Sequence, residues 1–312
     1  MWVQGSSTWL SVVLRFGPRI APIVYPRVIA TTLLASLVTF VHQRYEQFHW
    51  SLTVVPFTLL GLPLGIFLGF RNTASYDRFW EGRKLWGALV NTTRTLTRQV
   101  LTLVDPSSSH PAEVVRATQE RIVRATIAYA HALRMALRSD TSWEKLGEFL
   151  PPETIAKLAE ERNVPYGISQ RIAEQIRDLR VGGCVHPMHA PVFEQSLATL
   201  TDIQGGCERI ANTPIPFSYA VVIHRIVALY CVLLPLGIAD TVAMLTPAVV
   251  LFVSYALFTL DAIGDELEDP FGHDVNDLPL HAICVTIETN LRQRLGETTL
   301  PPPRAPVRGV LD

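Results

Sequence analysis

From Gln47 to Arg71 the chain runs without Asp, Glu, Lys or Arg until Arg71 itself, then breaks into the mixed run Arg71-Asn72-Thr73-Ala74-Ser75-Tyr76-Asp77-Arg78-Phe79-Trp80-Glu81. A bilayer core about 30 Å thick takes roughly 20 apolar residues as helix, so the uncharged part is long enough to cross and Arg71 reads as its exit. Two rows repeat every fourth residue within it, Gly61/Gly65/Gly69 and Leu62/Ile66/Phe70. At helical spacing each row lies along one face. The glycines form a small-xxx-small pattern that lets helices approach closely. The neighbouring row lines up bulky apolar side chains, which would face lipid, another helix or a symmetry axis. Pro56 and Pro63 predict a kink.

The same reading gives three more spans. Val28–Gln43 is a short first one, entered from a mixed segment in which Pro18, Pro22 and Pro26 argue against a continuous helix. His49 and Trp50 suit the interface between the first two spans. Phe217–Ala239, with Arg225 near its start, and the uncharged Thr241–Leu260 make a second pair, with a tight turn expected at Asp240. Between the pairs the pattern turns amphipathic. Helices are expected over Arg71–Val104, Ala112–Leu137, two shorter pieces within Trp143–Arg180, and Val192–Ala211. Asp261–Asp277 reads as an acidic turn, Leu278–Arg294 as a last helix, and Pro301-Pro302-Pro303-Arg304 as the start of a flexible tail.

Composition agrees with a membrane protein carrying a large water-exposed part. The chain of 312 residues is 48% hydrophobic and still 18% charged. A net charge of −1 gives no basic stripe for nucleic acid. The four cysteines, Cys184, Cys207, Cys231 and Cys284, show no Cys-x-x-Cys spacing. No short apolar core with a small-residue cleavage site follows Met1, so no cleaved signal peptide is expected. Basic residues set the orientation. Arg15, Arg19 and Arg27 precede the first span, Arg71, Arg78, Arg83 and Lys84 follow the second, and the outer links carry Arg44 alone. The positive-inside rule then puts both termini and the middle segment in the cytoplasm.

Few residues suggest chemistry. Asp265-Glu266-Leu267-Glu268-Asp269-Pro270-Phe271-Gly272-His273-Asp274-Val275-Asn276-Asp277 is rich in oxygen ligands of the kind calcium takes, without EF-hand spacing. The plainer reading is a solvated loop with Asp277 capping the last helix. Cys184, His186 and His189 would suit a soft metal, although a Gly/Pro-bounded turn with two histidines is commonly just a turn. No phosphate loop, nucleophile elbow or His-Glu-x-x-His motif occurs, and no enzyme is expected. The span interiors are almost free of charge, which argues against a secondary transporter.

Three segments together resemble the bestrophin family in its bacterial branch. The first is Ile66-Phe67-Leu68-Gly69-Phe70-Arg71-Asn72 with Tyr76-Asp77-Arg78-Phe79-Trp80-Glu81 and Leu85-Trp86-Gly87. The second is Cys207-Glu208-Arg209-Ile210 with Pro214-Ile215-Pro216-Phe217-Ser218-Tyr219 and His224. The third is Glu266-Leu267-Glu268-Asp269-Pro270-Phe271-Gly272-His273-Asp274 with Asn276-Asp277-Leu278. The resemblance implies a homopentameric channel with one pore on the five-fold axis, a neck at Leu62, Ile66 and Phe70, and a cytosolic aperture in the region of Met188 and Val192. It implies a calcium clasp at Asp274 and Asp277, thinned here by His273, Val275 and Asn276; no cofactor is required. Chloride is the permeant ion of the animal members, sodium- or potassium-type cations that of bacterial ones.

The expected protein is therefore an all-α integral membrane protein. It has four transmembrane helices and a large cytosolic helical region, assembled as a pentamer around a central pore. It divides into an N-terminal interfacial segment (1–27), helices one and two (28–72), a cytosolic helical domain (73–212), helices three and four (213–261), and an acidic turn, C-terminal helix and tail (262–312). Its expected function is conduction of small monovalent ions through a hydrophobic neck in a bacterial inner membrane. Its partners are its own copies, lipid and the permeant ions. The alternative is a membrane-anchored helical scaffold that binds a partner protein.

Overall fold

The computed structural model describes residues 20–44, 53–307 and 309–312. The expectations for Arg15, Arg19, His49 and Trp50 lie outside these residues. Helices carry the fold. Among the described residues the β contacts are isolated bridges, Val104 with Val185 and Val307 with Val310. Three stretches are long and apolar enough to cross a membrane, Ile20–Arg44, Val55–Thr102 and Phe217–Glu268.

Helix α1 spans Ile20–Arg44, so it begins earlier than the Val28 expected from its prolines. Pro22 falls in the first turn, where no intrahelical N–H partner exists to lose. Pro26 lies inside and is carried by the packing around it. Val24, Val28, Thr31, Ala35 and Thr39 form its buried stripe. The buried threonine hydroxyls donate to carbonyls of their own helix, Thr31 to Val28 at 3.0 Å and Thr39 to Ala35 at 2.8 Å, which makes them tolerable in an apolar setting.

Helix α2 is one unbroken element of 48 residues, Val55–Thr102, not a span followed by a separate helix from Arg71. At 1.5 Å per residue it reaches roughly 70 Å, more than twice a bilayer core. No proline follows Pro63 in it, and its buried stripe never lapses. Phe57, Leu64 and Leu68 continue through Arg71 and Ser75 to Gly82, Trp86, Leu89, Thr93, Leu96 and Val100. The apolar half packs on α7 and α8, and the other half on α3, α6 and the C-terminal helix, while α1 packs on α7 and α8.

The second apolar pair is a hairpin. Helix α7 (Phe217–Val242) runs through Asp240, and the break falls at Ala243–Leu245, where Ala243 takes φ +47°. Helix α8 (Thr246–Glu268) then returns along α7. Leu234 and Ile238 meet Val250 near the bend, and Ile223 and Val227 meet Phe258 and Ala262 at the far end. Helix α8 also overruns its expected end at Leu260. Asp261 to Glu268, read as part of a turn, are its last two turns, because Asp261 and Asp265 find partners on neighbouring helices.

The remaining helices build a second body around α3 (Ala112–Leu137), which is buried on nearly every side. Against it lie α5 (Val164–Val181), α6 (Ala190–Asn212) and α9 (Leu280–Arg294), and the short α4 (Pro152–Ala159) packs on α5. Short 3-10 turns occupy Trp143–Glu148 and Pro187–His189. Buried Tyr129 donates from its hydroxyl to the Leu200 carbonyl at 2.8 Å, and burial raises its pKa. Burial likewise pushes the Cys207 thiol up to about 12. The tail is not loose. Arg304 contacts His281, and Asp312 pairs with Arg138 at 2.7 Å, so the segment after α9 folds back over this body.

Glycine contacts correct one expectation. A Cβ on Gly61 would lie 3.0 Å from the Tyr230 hydroxyl, but Gly65 and Gly69 meet nothing within 4 Å, so among the described residues the glycine row is not a packing face inside one chain. A tighter approach lies between the apolar helices at Gly237, where a Cβ would overlap the Phe57 ring. Gly237→Ala should therefore cost about 1–3 kcal/mol through forced repacking. A lowered melting midpoint of the detergent-solubilised protein is expected; a midpoint equal to wild type would show that Phe57 has another rotamer to use.

Candidate functional site: the neck face of helix α2 and its ionic anchor

On α2 the row Leu62, Ile66 and Phe70 stays 68%, 48% and 64% exposed. Leu64, Leu68 and Arg71, on the far side of the same helix, are 3%, 1% and 0% exposed. At roughly 100° per residue the two sets are about opposite each other. The chain thus uses one face of α2 for its own packing and leaves a bulky apolar face, extended toward the helix start by Val55 and Leu59, unused.

What sets the rotation of that face is ionic. One residue after Phe70, Arg71 is fully buried and its guanidinium bridges two carboxylates of α8. Nη1 donates to Asp261 Oδ1 at 2.8 Å and Nη2 contacts Asp265 Oδ1. The side chain of Asp261 is 2% exposed. His224 of α7 lies between the acids, Nδ1 at 2.7 Å from Asp261 Oδ2 and Nε2 at 3.5 Å from Asp265 Oδ1. Arg27 of α1 adds a second guanidinium 3.7 Å from Asp261. Four helices therefore meet at one charge cluster next to the Leu62/Ile66/Phe70 row. Asn72 adds a bond from its amide to the Leu260 carbonyl at 3.0 Å.

Two turns further along α2, Arg78 works on backbone. Its guanidinium donates to the carbonyls of Glu268 at 3.0 Å, Thr213 at 2.5 Å and Ile210 at 2.7 Å. These carbonyls belong to the C-terminal ends of α6 and α8, where intrahelical partners run out and the dipole favours a cation. One side chain of α2 thereby ties both ends down.

His224, Asp261 and Asp265 also form the one group of three metal-type ligands among the described residues. Two guanidiniums already face its two carboxylates, so the arrangement is an ion-pair network. Cys184, His186 and His189 do not converge. Cys184 is buried with its Sγ 3.4 Å from the Ser107 hydroxyl, and the two imidazole rings lie 5.7 Å apart.

The other expected site residues lie elsewhere. Met188, 76% exposed, is in the 3-10 turn before α6, and Val192, 37% exposed, is in the first turn of α6. Asp274 and Asp277 sit in the turn between α8 and α9. Asp277 is buried and its Oδ2 accepts the Asp274 N–H at 2.6 Å; Asn276 donates to Glu266 at 2.7 Å. Phe271 and Pro270 of the same turn seat on Gly82 of α2.

Long apolar helices joined to a large helical body, with a charge cluster where the two meet, define a membrane protein. Residues 1–293 match the model of the bacterial/fungal bestrophin family, and the chain belongs to that family, one of ion channels and not of enzymes. It is 35% identical to a voltage-dependent anion channel-forming protein of Ralstonia nicotianae, with all of both chains covered. It is 35% identical to the voltage-dependent anion channel-forming protein YneE of Escherichia coli K12, over 96% of each chain. A crystal structure of a bacterial bestrophin homologue from Klebsiella pneumoniae superposes with a TM-score of 0.82 at 36% identity, covering 88% of this chain and 100% of the other.

Proposed function

We propose that the protein forms a homopentameric channel in the bacterial inner membrane and conducts small monovalent ions along its five-fold axis. The observation that carries this reading is the Leu62/Ile66/Phe70 face, apolar and unused by the chain's own packing on the helix that packs against both helices of the second apolar pair. Five copies of that face around an axis make a stack of apolar rings, and such a constriction controls ions through its wetting. The crossings would be α1, the first half of α2, α7 and α8, four in all. Both termini and the second helical body would then be cytoplasmic, as the distribution of Arg and Lys favours. The division expected from the sequence stands in this proposal, with α2 crossing its boundary at residue 72. Met188 and Val192 are offered as the second, cytosolic constriction.

Calcium takes six to eight oxygen ligands. The turn offers the carboxylates of Asp269, Asp274 and Asp277, and Asp269 Oδ1 and Asp277 Oδ2 already accept backbone amides of that turn. We therefore propose no calcium-dependent step in permeation.

Purified protein in liposomes tests the whole reading. Ion flux without any added partner is expected, and it should be the same in calcium and in EGTA. A silent preparation at all voltages would overturn the channel in favour of a scaffold. The neck rings carry no charge, so they select against hydration cost and not by sign. The relatives' names favour anions, whereas the bacterial branch was expected to pass cations. Reversal potentials in sodium chloride against potassium chloride, and against sodium gluconate, decide between the two.

A further inference from the structure

Away from the apolar helices, a cleft of about 710 Å³ lies between α3, the Trp143–Glu148 turn, α9 and the returning tail. Its charged lining is unbalanced. Arg134, Lys145, Arg292 and Arg304 face it against two carboxylates, Glu148 and Glu288. Two of the cations are committed, Arg292 to Glu288 at 2.7 Å and Lys145 to Asp140 at 3.0 Å. Arg134 makes no ion pair among the described residues, and its Nε is buried without a hydrogen-bond partner. Arg304 reaches in from the tail and lies 2.6 Å from His281 Nε2.

His281 reports the field inside the cleft. Burial first, then the Arg134 and Arg304 guanidiniums, hold its pKa down to about 4. A neutral imidazole between two guanidiniums gives those cations no counter-charge, and the nearby Asp312 carboxylate, which acts against them on His281, is itself paired with Arg138 at 2.7 Å. The remaining wall is apolar, with Leu146, Phe149 and Val285.

We propose that this cleft binds a small phosphate-bearing anion, held between the guanidiniums of Arg134 on α3 and Arg304 on the tail. Guanidinium forks match the geometry of phosphate oxygens, and charge-assisted bonds of this kind are about twice as strong as neutral ones. The lining comes from α3, the 3-10 turn, α9 and the tail, and none of it from α1, α7 or α8, which argues for a dissolved phosphate over a lipid headgroup. A bound anion would bridge the tail to the body. The site lies apart from the neck and does not depend on the channel reading.

Calorimetric titration of the full-length protein in detergent with sodium pyrophosphate tests it. Saturable binding is expected, weakened about tenfold or more in Arg134→Gln and in Arg304→Gln, and unchanged in Arg177→Gln, which removes a surface arginine outside the cleft. Arg304 sits on the tail, so its variant keeps the fold even where the α3 substitution does not. Absence of saturable binding in wild type overturns the proposal. So does unchanged affinity in Arg304→Gln, and so does binding to anionic phospholipid vesicles with none to pyrophosphate.

Discussion

Arg71→Met will unfold the protein at markedly milder conditions than wild type. The substitution keeps an unbranched apolar stem but leaves Asp261 with its carboxylate 2% exposed and its nearest guanidinium gone. Removing one partner of a buried pair costs about 3–5 kcal/mol, because the other charge stays desolvated. Arg27 at 3.7 Å and His224 at 2.7 Å remain as partial partners, which places the loss toward the lower end of that range. The informative comparison is the double variant Arg71→Met/Asp261→Asn. It discards both charges, and neutral replacements of buried pairs are commonly tolerated, so it should recover most of the lost stability. Asp265→Asn should matter least, since that carboxylate is 49% exposed. Melting followed by tryptophan fluorescence in detergent reads all four proteins. An Arg71→Met protein that melts with wild type, or a double variant no better than Arg71→Met, would remove the ionic anchor from the account of how α2 is set.

That anchor marks the limit of what the sequence disclosed. The apolar runs, the amphipathic middle and the bulky apolar row of α2 were all legible, because each depends on spacing along one helix. The boundaries at Ala112 and Leu137 of α3 and at Phe217 of α7 match the pattern for the same reason. The charge cluster joins Arg27, Arg71, His224, Asp261 and Asp265, which lie far apart in the chain. From the sequence, Arg71 marked an exit and Asp261 opened a turn. The available signal was that a cation ends one apolar run while an acid ends another, both runs leaving on the same side. Packed at one depth, such residues must pair or be exposed. The continuity of α2 was missed for a related reason. A charged break ends an apolar pattern without ending a helix, and here the buried stripe passes through Arg71 by neutralising it. The prolines alone predict a flexible tail, yet Arg138 and His281 supply anchors that composition does not reveal.

Ile66→Ala and Phe70→Ala should each raise single-channel conductance in planar bilayers, by about twofold or more, and the pair should raise it further. Both side chains are exposed in the single chain, 48% and 64%, so truncation leaves the chain's own core untouched and its melting midpoint close to wild type. The change falls on the width of the proposed rings alone. A narrow apolar ring resists filling by water, and an ion crossing it gives up hydration that no polar wall replaces. Alanine keeps the wall apolar while widening it, so an effect on conductance separates ring size from ring polarity. The anchored face supplies the contrast. Leu68→Ala, on the buried stripe and 1% exposed, should cost about 2–5 kcal/mol of stability. It widens nothing on the axis and should leave the conductance of surviving channels unchanged. If Ile66→Ala and Phe70→Ala alter neither conductance nor open probability, the exposed face of α2 is not the constriction. The same face would then have to be explained as a surface between helices of neighbouring copies.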